Sequence, residues 1–373
     1  MNMAISRLYT NKISGFSLIE LLVSMAIGLL LLLGLSVIFV NSSQTNRELQ
    51  NTAQQIENGR YAADLLSQDL HHAGFFGRLY TFPNSATSPA APTNAAPADP
   101  CLTGAATPDL DAFKSATAWP IQGYRAANLS MRADISATTC DDKGLLTSAN
   151  LQPGSDVLVI RRALTQKLAP ALASVTNEIH IQATGTASLV RVGTGAVFAN
   201  AGVLNKDGTG APVHKYVVHV YFVAPCSVGS GTNGVCASGD DAIPTLKRLE
   251  LVSKGGATVM NIVPLVEGIE YLKVEYGIDN LPIAVSTVTN VKGDANVDAY
   301  SPTPSDWTEV ISAKVFILAR NTAATMGYVD SKSYALGTVT AGPTDYAGKE
   351  AFKRHAYTTS TRLVNVAGRR EIP

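Results

Sequence analysis

The chain has 373 residues, 46% of them hydrophobic and 16% charged, with 29 basic and 29 acidic side chains. That apolar content is ample for a core, and the length suits one to three domains of ~100–200 residues each. Zero net charge argues against DNA as the main ligand, because duplex binding rests on phosphate neutralisation by clustered Lys and Arg.

The chain opens on MNMAISRLYTNKISG (1–15), short and polar, with Arg7 and Lys12 as its only charges. Residues 16–40, FSLIELLVSMAIGLLLLLGLSVIFV, hold a single ionisable side chain, Glu20. About 20 apolar residues of helix cross a bilayer, so this run is predicted to span one. The basic residues precede it and the next, Arg47, lies beyond it. The positive-inside rule therefore keeps the N-terminus cytoplasmic and exports the rest.

Three simpler readings fit less well. A cleavable secretory signal has an apolar core of ~7–15 residues followed by a small-x-small site. This run is longer, and VIFVNSS (37–43) offers no such site. A lipoprotein signal needs a cysteine directly after the apolar run, and the first cysteine is Cys101. A plain anchor explains the length but not Glu20, since a carboxylate within lipid is costly and usually has a partner. Ser24, Gly28 and Gly34 add small side chains suited to close helix packing.

The helix is predicted to continue past the membrane half (16–40) into an amphipathic half (41–74). From Asn41 to Ala73 there is no proline, and Gly59 is the one interior glycine. Leu49, Ile56, Ala63 and Leu70 recur every seven residues, with Ala53, Leu66 and Ala73 in the same stripe. That pattern lays one helix face on a core. Asn41-Ser42-Ser43 marks the junction, His71-His72 suit the negative end of the dipole, and Gly74 is a stop signal.

Residues 75–153 are read as a low-complexity, variable surface loop, with SATSPAAPTNAAPADP at 85–100 as its most biased run. After Pro153 the signals turn to β, and 154–373 is predicted as a β-rich head. Strand-like stretches are Asp156–Arg161, Glu178–Ile181, His214–Val223, Thr245–Val252, Tyr271–Tyr276, Ala313–Ala319 and Thr359–Val366. The expected architecture is α+β, a mostly antiparallel sheet packed on the amphipathic half of the first helix.

The four cysteines, Cys101, Cys140, Cys226 and Cys236, contain no CxxC pair, which disfavours a zinc ribbon or a thioredoxin motif. Outside the cytoplasm they read as two disulfides; in a cytosolic protein they would be four buried thiols. Cys226 and Cys236 flank a glycine-rich turn, and Cys101 and Cys140 bracket the long loop, so sequential pairing is expected. Asp141-Asp142 and Asp240-Asp241 lack the regular acidic spacing of a calcium loop. Asn205–Gly210 reads as a turn, because the lysine that a phosphate loop needs after its last glycine is absent. Six scattered histidines make no Ser/His/Asp set, so no catalytic residue, metal or cofactor is predicted.

The string Gly15-Phe16-Ser17-Leu18-Ile19-Glu20-Leu21-Leu22 resembles the class III signal of type IV pilins and type II secretion pseudopilins. The resemblance implies cleavage between Gly15 and Phe16 by a prepilin peptidase, N-methylation of Phe16, and retention of the anchor. It further implies that Glu20, fifth in the mature chain, pairs with a neighbouring subunit's N-terminal amine. Removal of 1–15 would leave 27 basic against 29 acidic side chains.

A second resemblance rests on Gln55–Ala62 and Asp69–Phe75, then on Val266–Asp279, Trp307 with Val310, Arg354, and Thr361–Asn365. This ordered set is similar to the PilW family of minor pilins. It implies a type IV pilin-like fold and a non-enzymatic subunit that helps to initiate the pilus. Such a subunit sits at or near the tip, supporting twitching motility and adhesion. The implied partners are the prepilin peptidase, other minor pilins, the major pilin, the inner-membrane assembly platform and a tip adhesin. The implied location is the inner membrane before assembly and the fibre after it. Two alternatives are a J-like type II secretion pseudopilin, whose head is similar but shorter, and a membrane-tethered periplasmic enzyme. The enzyme would need an anchor but not the Gly15–Glu20 processing site.

Overall fold

Helix α1 (Leu18–His72) runs without interruption for 55 residues, as the absence of proline permits. The computed structural model describes residues 15–79, 97–103, 111–168, 178–185, 187–192, 198, 202–254, 257–280 and 294–370. Two compact units divide the chain, Met1–Asn51 and Thr52–Pro373. In the first, an 18-residue window of α1 reaches a mean hydropathy of 2.7, and none of that window is buried. Length and composition together suffice to cross a membrane.

In the second unit α1 buries Gln55, Gly59, Ala62, Leu66, Asp69 and Leu70. Their spacing of three and four traces one face, which shares Leu66 and Leu70 with the predicted apolar stripe but departs from it at Leu49, Ala53 and Ile56. Ile56 stays 44% exposed, while the polar Gln55 and Asp69 are nearly covered. The helix is rotated so that two polar side chains find buried partners, which a count of apolar residues does not anticipate.

Two antiparallel sheets receive this face. The larger holds β1 (Ile121–Tyr124), β2 (Val157–Ala163), β3 (Ile179–Ala183), β4 (Ser188–Val192), β5 (Val213–Ala224), β6 (Thr245–Lys254) and β7 (Ala257–Glu267). Strand β5 is its axis, pairing with β2, β3 and β6. Its burial at eleven of twelve positions explains its near-continuous apolar and aromatic run. The smaller sheet joins β8 (Ile269–Ile278), β9 (Ala299–Ser301), β10 (Val310–Arg320) and, after the hairpin β11 (Tyr334–Leu336) and β12 (Val339–Ala341), β13 (Arg354–Arg362). Its order is β13-β10-β8-β9.

Gly268 alone carries the chain from the larger sheet to the smaller, at a φ of 76°. A Cβ there would stand 2.6 Å from the Arg320 carbonyl oxygen. Both the left-handed backbone and the close approach demand glycine.

One core layer lies between α1 and both sheets. Ala62, Leu66 and Leu70 of the helix cluster with Leu158, Ile160 and Tyr221 of the larger sheet and with Leu272, Val274 and Val315 of the smaller. A second layer covers the opposite face of the larger sheet, where Phe76, Phe113, Val159, Val220 and Phe222 cluster with all four cysteines. The α+β architecture, a helix packed on an antiparallel sheet head, is therefore as expected.

The segment 75–153 is more than a surface loop. Phe76, Phe113, Trp119, Ile121, Leu145 and Leu146 are all buried, and 121–124 supplies β1. Short helices α2 (Asp111–Ala116) and α3 (Thr139–Asp142) lie in the same stretch. Its apolar anchors come one or two at a time in chain rich in Ala, Thr and Pro, so a compositional window dilutes them. The biased run at 85–100 lies outside the described residues except for 97–100. At the other end, the stretch expected as a strand over Thr359–Val366 leaves the sheet at Arg362 and turns into helix α4 (Val364–Ala367).

Candidate functional site

The N-terminal site begins where α1 begins. Phe16 is 88% exposed, and the helix starts two residues later. Ser17 donates its backbone N–H to Glu20 Oε2 at 3.1 Å, and the Glu20 N–H donates to Ser17 Oγ at 3.4 Å. This reciprocal pair is a capping box, which satisfies two N–H groups that a helix start leaves open. The carboxylate also sits at the positive end of the helix dipole. Glu20 thus has a local hydrogen-bonding role within its own chain. The Ser-x-x-Glu spacing ahead of an apolar run is the sequence signal for this cap.

A second set of groups fixes the other end of α1 to the head. Asp69 Oδ1 accepts from Arg162 Nε at 2.6 Å. Its Oδ2 lies 2.7 Å from His219 Nδ1 and accepts from the Tyr221 hydroxyl at 2.8 Å. Burial alone would raise the Asp69 carboxyl, but His219 and Arg162 outweigh it and hold the group well below the usual carboxylate range. Gln55 Nε2 donates to the carbonyls of both Ala319 and Lys353, each at 2.9 Å. Asn58 Nδ2 reaches Glu267 O at 3.0 Å, and Ser67 Oγ meets Thr361 Oγ1 at 2.8 Å. Beyond the helix, Arg369 Nη2 donates to Gly74 O at 3.0 Å.

Two buried ion sets hold the head. Lys273 Nζ meets Asp156 Oδ1 at 2.8 Å, and Asp156 also accepts from the Ala126 and Val274 backbones. Arg354 lies 2.6 Å from Glu270 and 3.2 Å from Asp330, with its guanidinium 3.9 Å above the Tyr346 ring. Burying a guanidinium this fully requires such matching. It ties the excursion between β10 and β13 to the centre of the smaller sheet.

The cysteines are joined Cys101–Cys140 and Cys226–Cys236. Asp99 accepts from the backbones of Cys101 and Thr139, which clasps the two ends of the first bridge. Asp240 and Asp241 organise the second loop: Asp240 accepts from Ser230 and Ala237, and Asp241 from Ser227 and Ile243. Hydrogen bonds led by Ser230 lower Asp240, and those of Ser227 overcome desolvation to lower Asp241. Asp207 likewise closes the Asn205–Gly210 turn by accepting from Thr209. Among the described residues, no group of three or more His, Cys, Asp or Glu side chains is placed to hold a metal ion.

A capped apolar helix, long enough to cross a membrane, thus leads into a disulfide-stapled, β-rich head. The model of the type IV pilus-assembly protein W family matches residues 220–365, which take in β6 to β13 and the last five residues of β5. The model of the prokaryotic N-terminal methylation motif matches residues 10–36. No curated protein and no solved structure matches the chain. The two family matches support a role as a type IV pilus minor pilin, a structural protein that interacts with pilus components and is processed by a peptidase.

Proposed function

We propose that this chain is a minor pilin that takes part in initiating type IV pilus assembly and sits at or near the pilus tip, supporting twitching motility and adhesion. The observation that carries this reading is the pairing of a prepilin-type N-terminus with a pilus-assembly head on one chain. In this reading the peptidase cuts between Gly15 and Phe16, Phe16 is methylated, and the head lies on the periplasmic side. Glu20 then exchanges its Ser17 contact for the amine of the next subunit, neutralising two charges that lipid disfavours. A head of this size would crowd a lattice at every position, whereas at a fibre end no subunit stacks above it.

Deleting the gene tests the reading. Surface pili and twitching should be abolished or sharply reduced while the major pilin still accumulates in the membrane. Normal piliation in the deletion strain, or uniform labelling of the fibre by an antibody to the head, would overturn it. The pseudopilin reading is separated by the same strain, which would then lose protein secretion and keep its pili.

A further inference from the structure

One lysine of β6 lies in an apolar layer. Lys247 shares a strand face with Leu249 and Leu251, which belong to the core cluster that holds all four cysteines. It is 1% exposed, and the β6–β7 register slips by one residue beside it, between Leu246 and Lys247. Such bulges re-aim neighbouring side chains. Lys247 Nζ comes to 3.5 Å from Cys226 Sγ and 3.7 Å from Cys236 Sγ. Among the described residues these sulfurs are its only hydrogen-bond partners, and no carboxylate stands within ion-pair distance. Burial pushes the Lys247 ammonium's pKa down, and Asp241 and Asp240, farther off, only partly oppose this.

A buried ammonium needs a strong acceptor, and a disulfide sulfur is a weak one. A thiolate carries a full negative charge, which an adjacent lysine stabilises. Lys247 therefore matches the reduced pair better than the oxidised pair it faces. Stabilising the thiolate speeds its departure from a disulfide under attack and makes the bridge a stronger oxidant. Lys143, beside the other bridge, donates to the Cys101 carbonyl and Thr103 Oγ1, not to sulfur. Access to the shorter bridge runs through its own loop. Of residues 227–235 only Ser227 is buried, and Gly229, Gly231 and Gly234 lie among them. A segment without buried apolar side chains opens locally at low cost.

We propose that Cys226–Cys236 is a thiol-exchange site, opened and closed in the folded head by a partner dithiol, with Lys247 placed to hold the Cys226 thiolate. Cys236, at 7%, is the more exposed of the two cysteines. The dithiol's thiolate attacks Cys236 Sγ, a mixed disulfide forms, the Sγ–Sγ bond breaks, and Cys226 leaves as a thiolate beside Lys247. The dithiol's second thiol then displaces Cys236 and passes its proton to it. Two electrons reach the bridge, the dithiol becomes a disulfide, and the 227–235 loop is freed. The reverse steps close the bridge.

A redox titration of the full chain in detergent tests this, in buffers of reduced and oxidised dithiothreitol. Mass spectrometry of differentially alkylated peptides reports each bridge. Without denaturant, Cys226–Cys236 should open while Cys101–Cys140 stays closed. Lys247→Met, which keeps an unbranched side chain without the charge, should favour the closed bridge at least tenfold in equilibrium constant, about 30 mV. In the reduced wild type, alkylation of Cys226 should have a pH midpoint below the ordinary ~8.5, and Lys247→Met should return it to that value or above. The wild-type profile decides the point even if Lys247→Met does not fold. A bridge that opens only in denaturant, an ordinary Cys226 midpoint, or an equilibrium unmoved in folded Lys247→Met would each overturn the proposal.

Discussion

Gly59 of α1 lies against the ring of Tyr357 on β13 so closely that a Cβ at Gly59 would stand 2.1 Å from a ring carbon. The Tyr357 hydroxyl in turn reaches the Ile56 carbonyl at 3.4 Å. A glycine inside a helix costs ~1 kcal/mol relative to alanine, so its presence here is explained by contact rather than by propensity. Gly59→Ala should destabilise the head by ~1–2 kcal/mol, because overpacking outweighs the propensity gain. Adding Tyr357→Ala should remove the clash, so that the double variant is more stable than the two single effects sum to. Denaturant unfolding of the four proteins measures this, and additive effects would show that the contact carries no energy.

Asp69→Asn should cost ~3–5 kcal/mol, since it leaves Arg162 and His219 beside a neutral amide in a buried site. The wild type should also lose stability in acid. The folded carboxyl is held below its unfolded value of ~3.9, so its contribution is full above that pH and falls as pH drops through the folded value. The decline should be shallower in Asp69→Asn. Stability curves of equal slope below pH ~4 would contradict the assignment.

Glu20→Gln separates two roles of one side chain. The amide oxygen can still accept from the Ser17 N–H, which preserves the cap seen at 3.1 Å. The negative charge is gone. Processing and membrane insertion should be normal, and incorporation into sheared pili should fall at least fivefold, as for Glu20→Val. Wild-type incorporation of Glu20→Gln would reduce Glu20 to a helix cap.

Mass spectrometry of the mature protein should find a chain that starts at N-methylated Phe16. Recovery of an intact Met1 terminus from a strain with an active peptidase would refute the cleavage.

The two disulfides should differ in weight. By loop entropy, closing a span of 39 residues at Cys101–Cys140 contributes roughly 4 kcal/mol, against roughly 3 kcal/mol for the span of 10 at Cys226–Cys236. Serine pairs at each bridge, compared by thermal unfolding, should rank in that order. The reverse ranking would point to contacts of the shorter loop, such as Lys247 Nζ at 3.5 Å from Cys226 Sγ.

The parts of the fold that could be read from the sequence are those where one local signal dominates. The membrane half of α1 is an unbroken apolar run, and β5 and β10 are long β-branched and aromatic stretches whose burial matches their composition. Strand β7 carries no clear signal because Asn261 and Pro264 interrupt its pattern, nor does β1, four residues ending in Gly-Tyr within Ala- and Thr-rich chain. The Asp69 site could not be read at all. Arg162, His219 and Tyr221 lie 93, 150 and 152 residues away, and no local rule connects them. In the sequence Asp69 stands only as a member of a recurring string, without its partners.

Gln55, Asn58, Ser67 and Asp69 each bond a different strand or strand end of the head, at intervals along a single helix. A pull along the helix axis therefore strains these attachments side by side, in shear, instead of peeling them one after another. Resistance to a steady tug depends on the unfolding rate rather than on equilibrium stability. Substitutions along this row should shorten the time for which the head withstands a steady pull on the helix more than they lower its melting temperature.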